Sequence, residues 1–266
     1  MSTAPERETL DRHALYEACV QAPARLVPLL VAIHGASPRV LGEDFCGTAA
    51  VARAWLALVP GSRASGVDVE PAVLARAADS VAREAVARLE LVCADVRALP
   101  ANARADLDVL FTGNFSIGEL ATRAELVAYL ARARARLARG GVFVCDLYGG
   151  ESAFRTGATA RTHVLADGRR VHYVWEQRSA DPRDARVVNA LHFRVEDRGE
   201  ITHALADAFV YRWRLWSLAE LREALHDAGF ARVEVWRELA ELPGSTRPVA
   251  TPEELGASWI VCVSAR

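Results

Sequence analysis

Between Val40 and Gly150 the sequence alternates short apolar runs with helical segments, and no other feature limits the possible folds as tightly. The runs are RVLGEDF, ASGVDV (Ala64 to Val69), LELVCAD (Leu89 to Asp95), LDVLFTG (Leu107 to Gly113) and GVFVCDLY (Gly141 to Tyr148). Segments such as PAVLARAADSVAREAVA and TRAELVAYLARARARLARGG separate them, the second running into a glycine pair of the kind that stops a helix. Strands joined by helices pair in parallel through right-handed crossovers, which predicts a doubly wound α/β sheet.

The flanks read differently. A polar arm precedes ALYEACVQAPARLVPLLVAIHG (Ala14 to Gly35), helical pieces interrupted at Pro23 and Pro28. Beyond Gly149, RRVHYVWEQ, ARVVNALHFRVED and HALADAFVYRWRLW follow one another with only turns such as DPRD and DRGE between them, the signature of an antiparallel meander. Phe209, Tyr211 and Trp213 fall on one face of its last strand, Arg212 and Arg214 on the other. SLAELREALHDAGF then supplies a helix with Ser217 and Glu220 as a capping box and Gly229 at its stop. Two closing strands, ARVEVW and SWIVCVSA, complete the chain.

Composition narrows the partners. Acidic and basic residues, 34 and 32, leave a net charge of −2, so no basic field points to nucleic acid or to a membrane surface. No residue is lysine, which excludes Schiff-base chemistry and the lysine of a Walker phosphate loop. The 5 cysteines have no metal-ligand spacing and read as reduced thiols, with Cys93, Cys145 and Cys262 as small buried hydrophobes. His172, His192 and His203 lack metal spacing too, and no metal is expected. Without an apolar leader or a membrane-length run, the chain is expected to be cytoplasmic, with a small-molecule partner and homodimerisation left open.

In an open doubly wound sheet, ligands bind beyond the carboxyl ends of the strands. Those ends carry Glu43 to Gly47, Asp68, Asp95, Thr112 to Ser116 and Asp146 to Tyr148. Asp68 lies about twenty residues past the loop glycine, where a carboxylate takes ribose hydroxyls. Asp95 and Val96 are placed to meet an adenine. A dinucleotide loop would present glycines to a pyrophosphate, but here Phe45 and Ala49 stand at two such positions, with Glu43 and Asp44 beside them. That charge favours an adenosine ligand carrying cationic groups over one carrying phosphates. Either acid could instead cap the following helix or pair with an arginine. The arginines of LARARARLARGG read as a solvated helix face, and Asp108, at the start of a strand, as structural.

The ordered set of motifs resembles class I S-adenosylmethionine-dependent methyltransferases. LGEDFCGTA is similar to the first motif of that family, GVDVEPAVLARA to the second, VCADVRALP to the third, LDVLFTGNFSIGEL to the fourth and LARGGVFVCDLYGG to the fifth. The resemblance implies a Rossmann-like doubly wound seven-stranded sheet with helices on both faces and an inserted antiparallel meander. It implies a helical cap over residues 1–38, a methyltransferase core over 39–266, and an insertion over 162–216 above the active-site edge. S-adenosyl-L-methionine would be held by Glu43, Phe45, Cys46, Gly47, Asp68, Val69, Asp95, Val96 and Asn114. The late meander resembles the small-molecule branch, in which inserted strands and N-terminal helices roof the pocket. Tyr16, Gln21, Tyr148, Tyr173, Trp175, His192, Tyr211, Arg212 and Trp213 are then its candidate walls, with Tyr16, Tyr148, Tyr211 and Arg212 placed at the reaction. Methyl transfer to N or O of a small molecule is the activity implied; a non-catalytic cofactor-binding protein and a nicotinamide-dependent oxidoreductase are the alternatives.

Overall fold

A computed structural model describes residues 11–100, 103, 105–237 and 248–266. The polar arm and much of the loop between the closing strands lie outside the described residues. The alternation forms a seven-stranded sheet built from β1 (Val40–Asp44), β2 (Arg63–Asp68), β3 (Leu89–Cys93), β4 (Leu107–Thr112), β5 (Leu137–Gly150), β10 (Val233–Arg237) and β11 (Ser258–Ala265). Its order is β10-β11-β5-β4-β1-β2-β3. The first five strands pair in parallel, and β11 runs antiparallel to both neighbours. Strand order reverses between β1 and β4, so the loops leaving those two strands diverge and open a crevice.

Helices cover both faces. On one, α5 (Arg123–Arg136) and α6 (Leu218–Asp227) bury Leu126, Leu130, Leu221 and Leu225 against Leu110 and Phe143. On the other, α2 (Pro23–His34) and α3 (Ala50–Leu58) pack Leu30, Ile33 and the fully buried Trp55 on Leu41 and Val109, with α4 (Pro71–Asp79) alongside. Ser217 and Glu220 form the expected capping box on α6, as Thr122 and Glu125 do on α5. Asp108 is structural, accepting the Arg39 and Val40 N–H groups at 2.6 and 2.9 Å.

Several local expectations are corrected. Pro28 does not interrupt α2: the helix continues through it, with its ring exposed, and Pro23 occupies the first turn. The segment after Pro71 is not one helix but α4 followed by a short 3-10 turn at Arg83–Arg88. Cys93 is exposed, unlike Cys145 and Cys262.

The meander forms a separate antiparallel sheet, β6-β7-β8-β9, from β6 (Gly157–Val164), β7 (Arg170–Asp181), β8 (Arg186–Asp197) and β9 (Glu200–Arg214). It carries its own core, in which Val171, Tyr173, Leu191 and Phe193 enclose Leu15 and Cys19 of α1 (Arg12–Cys19). The N-terminal helix therefore packs with the small sheet. It is fastened to the large one by charge: Glu17 meets Arg53 at 2.8 Å, Arg12 meets Glu70 at 3.5 Å, and Asp11 pairs with Arg76.

Candidate active site

The floor is the turn from β1 to α3. Phe45, Gly47 and Ala49 all have left-handed backbones, with φ of 54, 51 and 52°. For the two non-glycine residues this costs ~1–2 kcal/mol each. The turn is held regardless: the Cys46 N–H donates to Val67 O at 3.0 Å, and the Gly47 N–H donates to Asp68 Oδ2 at 2.8 Å. The other Asp68 oxygen accepts the Glu70 N–H at 3.0 Å. Phe45 packs its ring 6.1 Å from that of Tyr129, over the core, and presents its other side to the crevice.

The loop after β4 is held in the same manner. Asn114 and Phe115 are left-handed, φ 55 and 60°, and their N–H groups donate to the two Asp146 oxygens at 2.8 and 2.7 Å. An aspartate at the end of a neighbouring strand thus grips each diverging loop. At the third strand end, Arg97 forks onto Asp95 and holds its carboxyl below the usual range.

Over this floor lies a cavity of about 390 Å³. Phe45, Cys46, Gly47, Asp68, Val69, Asp95, Val96 and Asn114 line it together, with Thr48, Ser116 and Glu119. The roof is His13 and Tyr16 of α1, Gln21, and Phe209 and Tyr211 of β9. Tyr16 and His13 meet Phe209 at ring separations of 5.0 and 5.5 Å. Burial, and then the neighbouring Tyr211, holds the Tyr16 phenol well above its ordinary value, and burial pushes Tyr211 up to about 12. Both hydroxyls remain protonated donors at neutral pH. Gln21 Oε1 is buried without a partner. Gln21 and Asn114 also line an adjoining cavity of about 150 Å³ that contains Arg25.

Several residues depart from their expected places. Tyr173, Trp175 and Trp213 pack into the cores of the small sheet and do not line the cavity. Glu43 does not line the cavity; it is 3 % exposed, accepts the Ala52 N–H at 2.8 Å at the start of α3, and burial pushes its carboxyl up to about 8. Asp44 is fully buried and paired with Arg136 at 2.8 Å, with the Tyr129 hydroxyl donating to it at 2.9 Å. Its charge is thereby neutralised from below, and the last arginine of the supposedly solvated α5 face is a core residue. Tyr148 lies beyond the cavity, its hydroxyl donating to Gln177 Oε1 at 3.4 Å and accepting from Asn189 Nδ2 at 3.3 Å. Arg212 is exposed on the outer face of β9, opposite to Tyr211. His192 meets Glu176 at 3.0 Å beside Asp207, but Arg178 pairs with both carboxylates and supplies the cation they share.

Neither Glu119 nor His13 stands out in the sequence. Glu119 sits in the fourth motif, NFSIGEL, which was the available signal; its carboxylate accepts Trp213 Nε1 at 2.7 Å. His13 carries no such signal, because α1 reaches the site only by packing on a distant sheet.

Residues 44–141 match the family model described as a methyltransferase domain. No curated protein matches the sequence. Among solved structures, the chain is similar to DesVI of Streptomyces venezuelae, at 21% identity and a TM-score of 0.70 over 97% of this chain and 99% of that one. The sugar N-methyltransferase KedS8 from Streptoalloteichus sp. shares 20% identity with a TM-score of 0.65, over 100% of this chain and 97% of that one. CalS10 of Micromonospora echinaspora, an amino pentose methyltransferase solved with S-adenosylmethionine bound, shares 21% and 0.66, over 98% and 100% of the two chains. These likenesses show the fold, which is that of S-adenosylmethionine-dependent methyltransferases with an antiparallel insertion.

Proposed function

We infer that this chain, which carries a methyltransferase domain over residues 44–141, uses S-adenosylmethionine to methylate an amino nitrogen on a small sugar-like acceptor. The observation that carries the reading is the single cavity in which the adenosine-reading strand ends face a phenol-lined roof. Asp68 would take the ribose hydroxyls, and Val96 with Asp95 the adenine. Gln21 Oε1, buried and without a partner, fits an ammonium, while Arg25 in the adjoining cavity fits a carboxylate. Together they suit an amino-acid end, which a dinucleotide does not have. When bound, the cofactor supplies a methyl group on a sulfonium, and electron-rich phenol faces such as those of Tyr16 and Tyr211 stabilise a neighbouring cation.

The roof end supplies the acceptor's contacts. Glu119 of the fourth motif lines the cavity together with both phenols, and it would orient an amine through its N–H groups. The Tyr211 hydroxyl, which shares a hydrogen bond with that of Tyr16, would donate to an acceptor oxygen. A neutral amine attacks through its own lone pair and loses its proton afterwards, so the residues need only align it and exclude water. The names of KedS8 and CalS10 support a nitrogen acceptor on a sugar.

The test is methyl transfer from isotopically labelled S-adenosylmethionine to paired amino and hydroxy sugars. One added methyl on the amino member alone is expected. Transfer to the hydroxy member overturns the nitrogen assignment, and binding of NADH in place of S-adenosylmethionine overturns the cofactor.

A further inference from the structure

Among the described residues there is a cleft larger than the one just described. It measures about 700 Å³ and shares no lining residue with the methyl-transfer cavity. It lies where the far ends of β5 and β11 meet the β7–β8 hairpin and the start of α6. An aromatic wall closes it off from the cavity: Phe115 lies 4.9 Å from Tyr148 and 6.2 Å from Trp213, ring to ring.

Its chemistry is specific. Arg186 on β8 stands directly opposite Arg214 on β9, and both line the cleft. Like charges in register across two strands repel, and the arrangement asks for an anion. Glu220 answers only part of it, meeting Arg214 Nη2 at 2.9 Å; Arg214 Nε is buried without a partner. Among the described residues Arg186 makes no ion pair, and it is exposed. Arg214 is immobilised, its guanidinium carbon 3.9 Å from the centre of the Trp216 ring. Flat apolar surface completes the cleft. Trp259 lies so close over Gly149 that a Cβ there would meet its ring at 2.3 Å, and Phe154 is 39% exposed at the rim.

We propose that this cleft is a second ligand site, for a small molecule in which an anionic group is joined to a flat ring, filled independently of the methyl-transfer cavity. The anion sits between Arg186 and Arg214, and the ring lies on Phe154 and Trp259. The volume is that of a site for a drug-sized ligand.

Ligand-observed NMR titrations of the full chain with phenyl phosphate, inorganic phosphate and phenol test this. Phenyl phosphate should bind about tenfold or more tighter than either fragment, because ring and charge act together. Arg186→Gln and Phe154→Ser, both surface changes, should each weaken it several-fold. Saturating S-adenosylhomocysteine should leave its affinity unchanged. Equal binding of phenyl phosphate and inorganic phosphate, indifference to both substitutions, or displacement by S-adenosylhomocysteine would each overturn the proposal.

Discussion

The floor of the cavity and its roof are built by opposite strategies. On the floor, the loops leaving β1 and β4 are fixed by backbone N–H groups that donate to an aspartate on the neighbouring strand: Asp68 holds the β1 turn and Asp146 the β4 loop. On the roof, Tyr16 and Tyr211 come from an N-terminal helix and a late strand that meet only because α1 packs on the small sheet. The floor is rigid by local bonding, the roof by side-chain packing and a few surface ion pairs. A floor residue should therefore fail through cofactor binding, and a roof residue through the acceptor.

The comparison can be broken most forcefully from beneath the floor. Arg136→Met leaves Asp44 buried without its counter-ion, and should cost ~3–5 kcal/mol in denaturant unfolding. A loss no larger than that of an exposed arginine on α5 would show the floor does not depend on that pair. Glu43 gives a pH test. Its folded-state carboxyl is raised to about 8, so between the ordinary carboxylate value and that point the folded chain holds a proton that the unfolded chain has released. Stability should then fall as pH rises through this window, by a few kilocalories, and Glu43→Gln should flatten the fall. Unfolding midpoints measured on either side of the window decide it.

Smaller effects separate floor from roof. Asp68→Ala should weaken S-adenosylmethionine binding by ~1.5–3 kcal/mol in calorimetry, since ribose hydroxyls and the Gly47 N–H lose a charged acceptor. Tyr211→Phe, which keeps the ring and removes only the hydroxyl, should raise the acceptor KM about tenfold, ~1.4 kcal/mol, while cofactor affinity holds. Arg212→Ala, on the outer face, should change neither. A parallel response of Tyr211 and Arg212 variants would erase the two-faced description of β9. The least change expected is at the β8–β9 turn, where Arg198 and Gly199 have φ of 53 and 88°. Such a turn prefers Asn-Gly, so Arg198→Asn should stabilise by ~0.5 kcal/mol in thermal unfolding, with catalysis untouched.

The floor was legible because strand ends and their loops are contiguous in sequence. Asp68, Asp95 and Asn114 line the cavity, and the loop keeps glycine-like angles at Phe45 and Ala49 even though the residue type there is not glycine. In sequence Asp44 points to the ligand, because its partner is on the far end of α5 and nothing in LARARARLARGG distinguishes the one arginine that turns inward. Glu43 and Asp44 look equivalent in sequence, yet strand alternation sends them to opposite faces, one to cap a helix and one to pair in the core. The meander was legible as a sheet, with Phe209, Tyr211 and Trp213 on one face. Which residues of that face would meet the cavity was not, because that depends on where the sheet settles on the larger one. Tyr148 illustrates the limit: it ends the strand beside the site, but its ring turns into the wall behind it.

That wall has an optical consequence. Trp175 and Trp213 stand 6.1 Å apart at 43°, and Tyr211 stacks on Trp213 at 4.3 Å. Rings fixed at such distances couple their electronic transitions and give strong near-ultraviolet dichroism, which vanishes when tertiary packing loosens. Because these chromophores all belong to the small sheet, the signal reports how tightly that sheet is packed. The protein thus carries an intrinsic, label-free gauge of the small sheet's integrity, readable during titration with cofactor or acceptor.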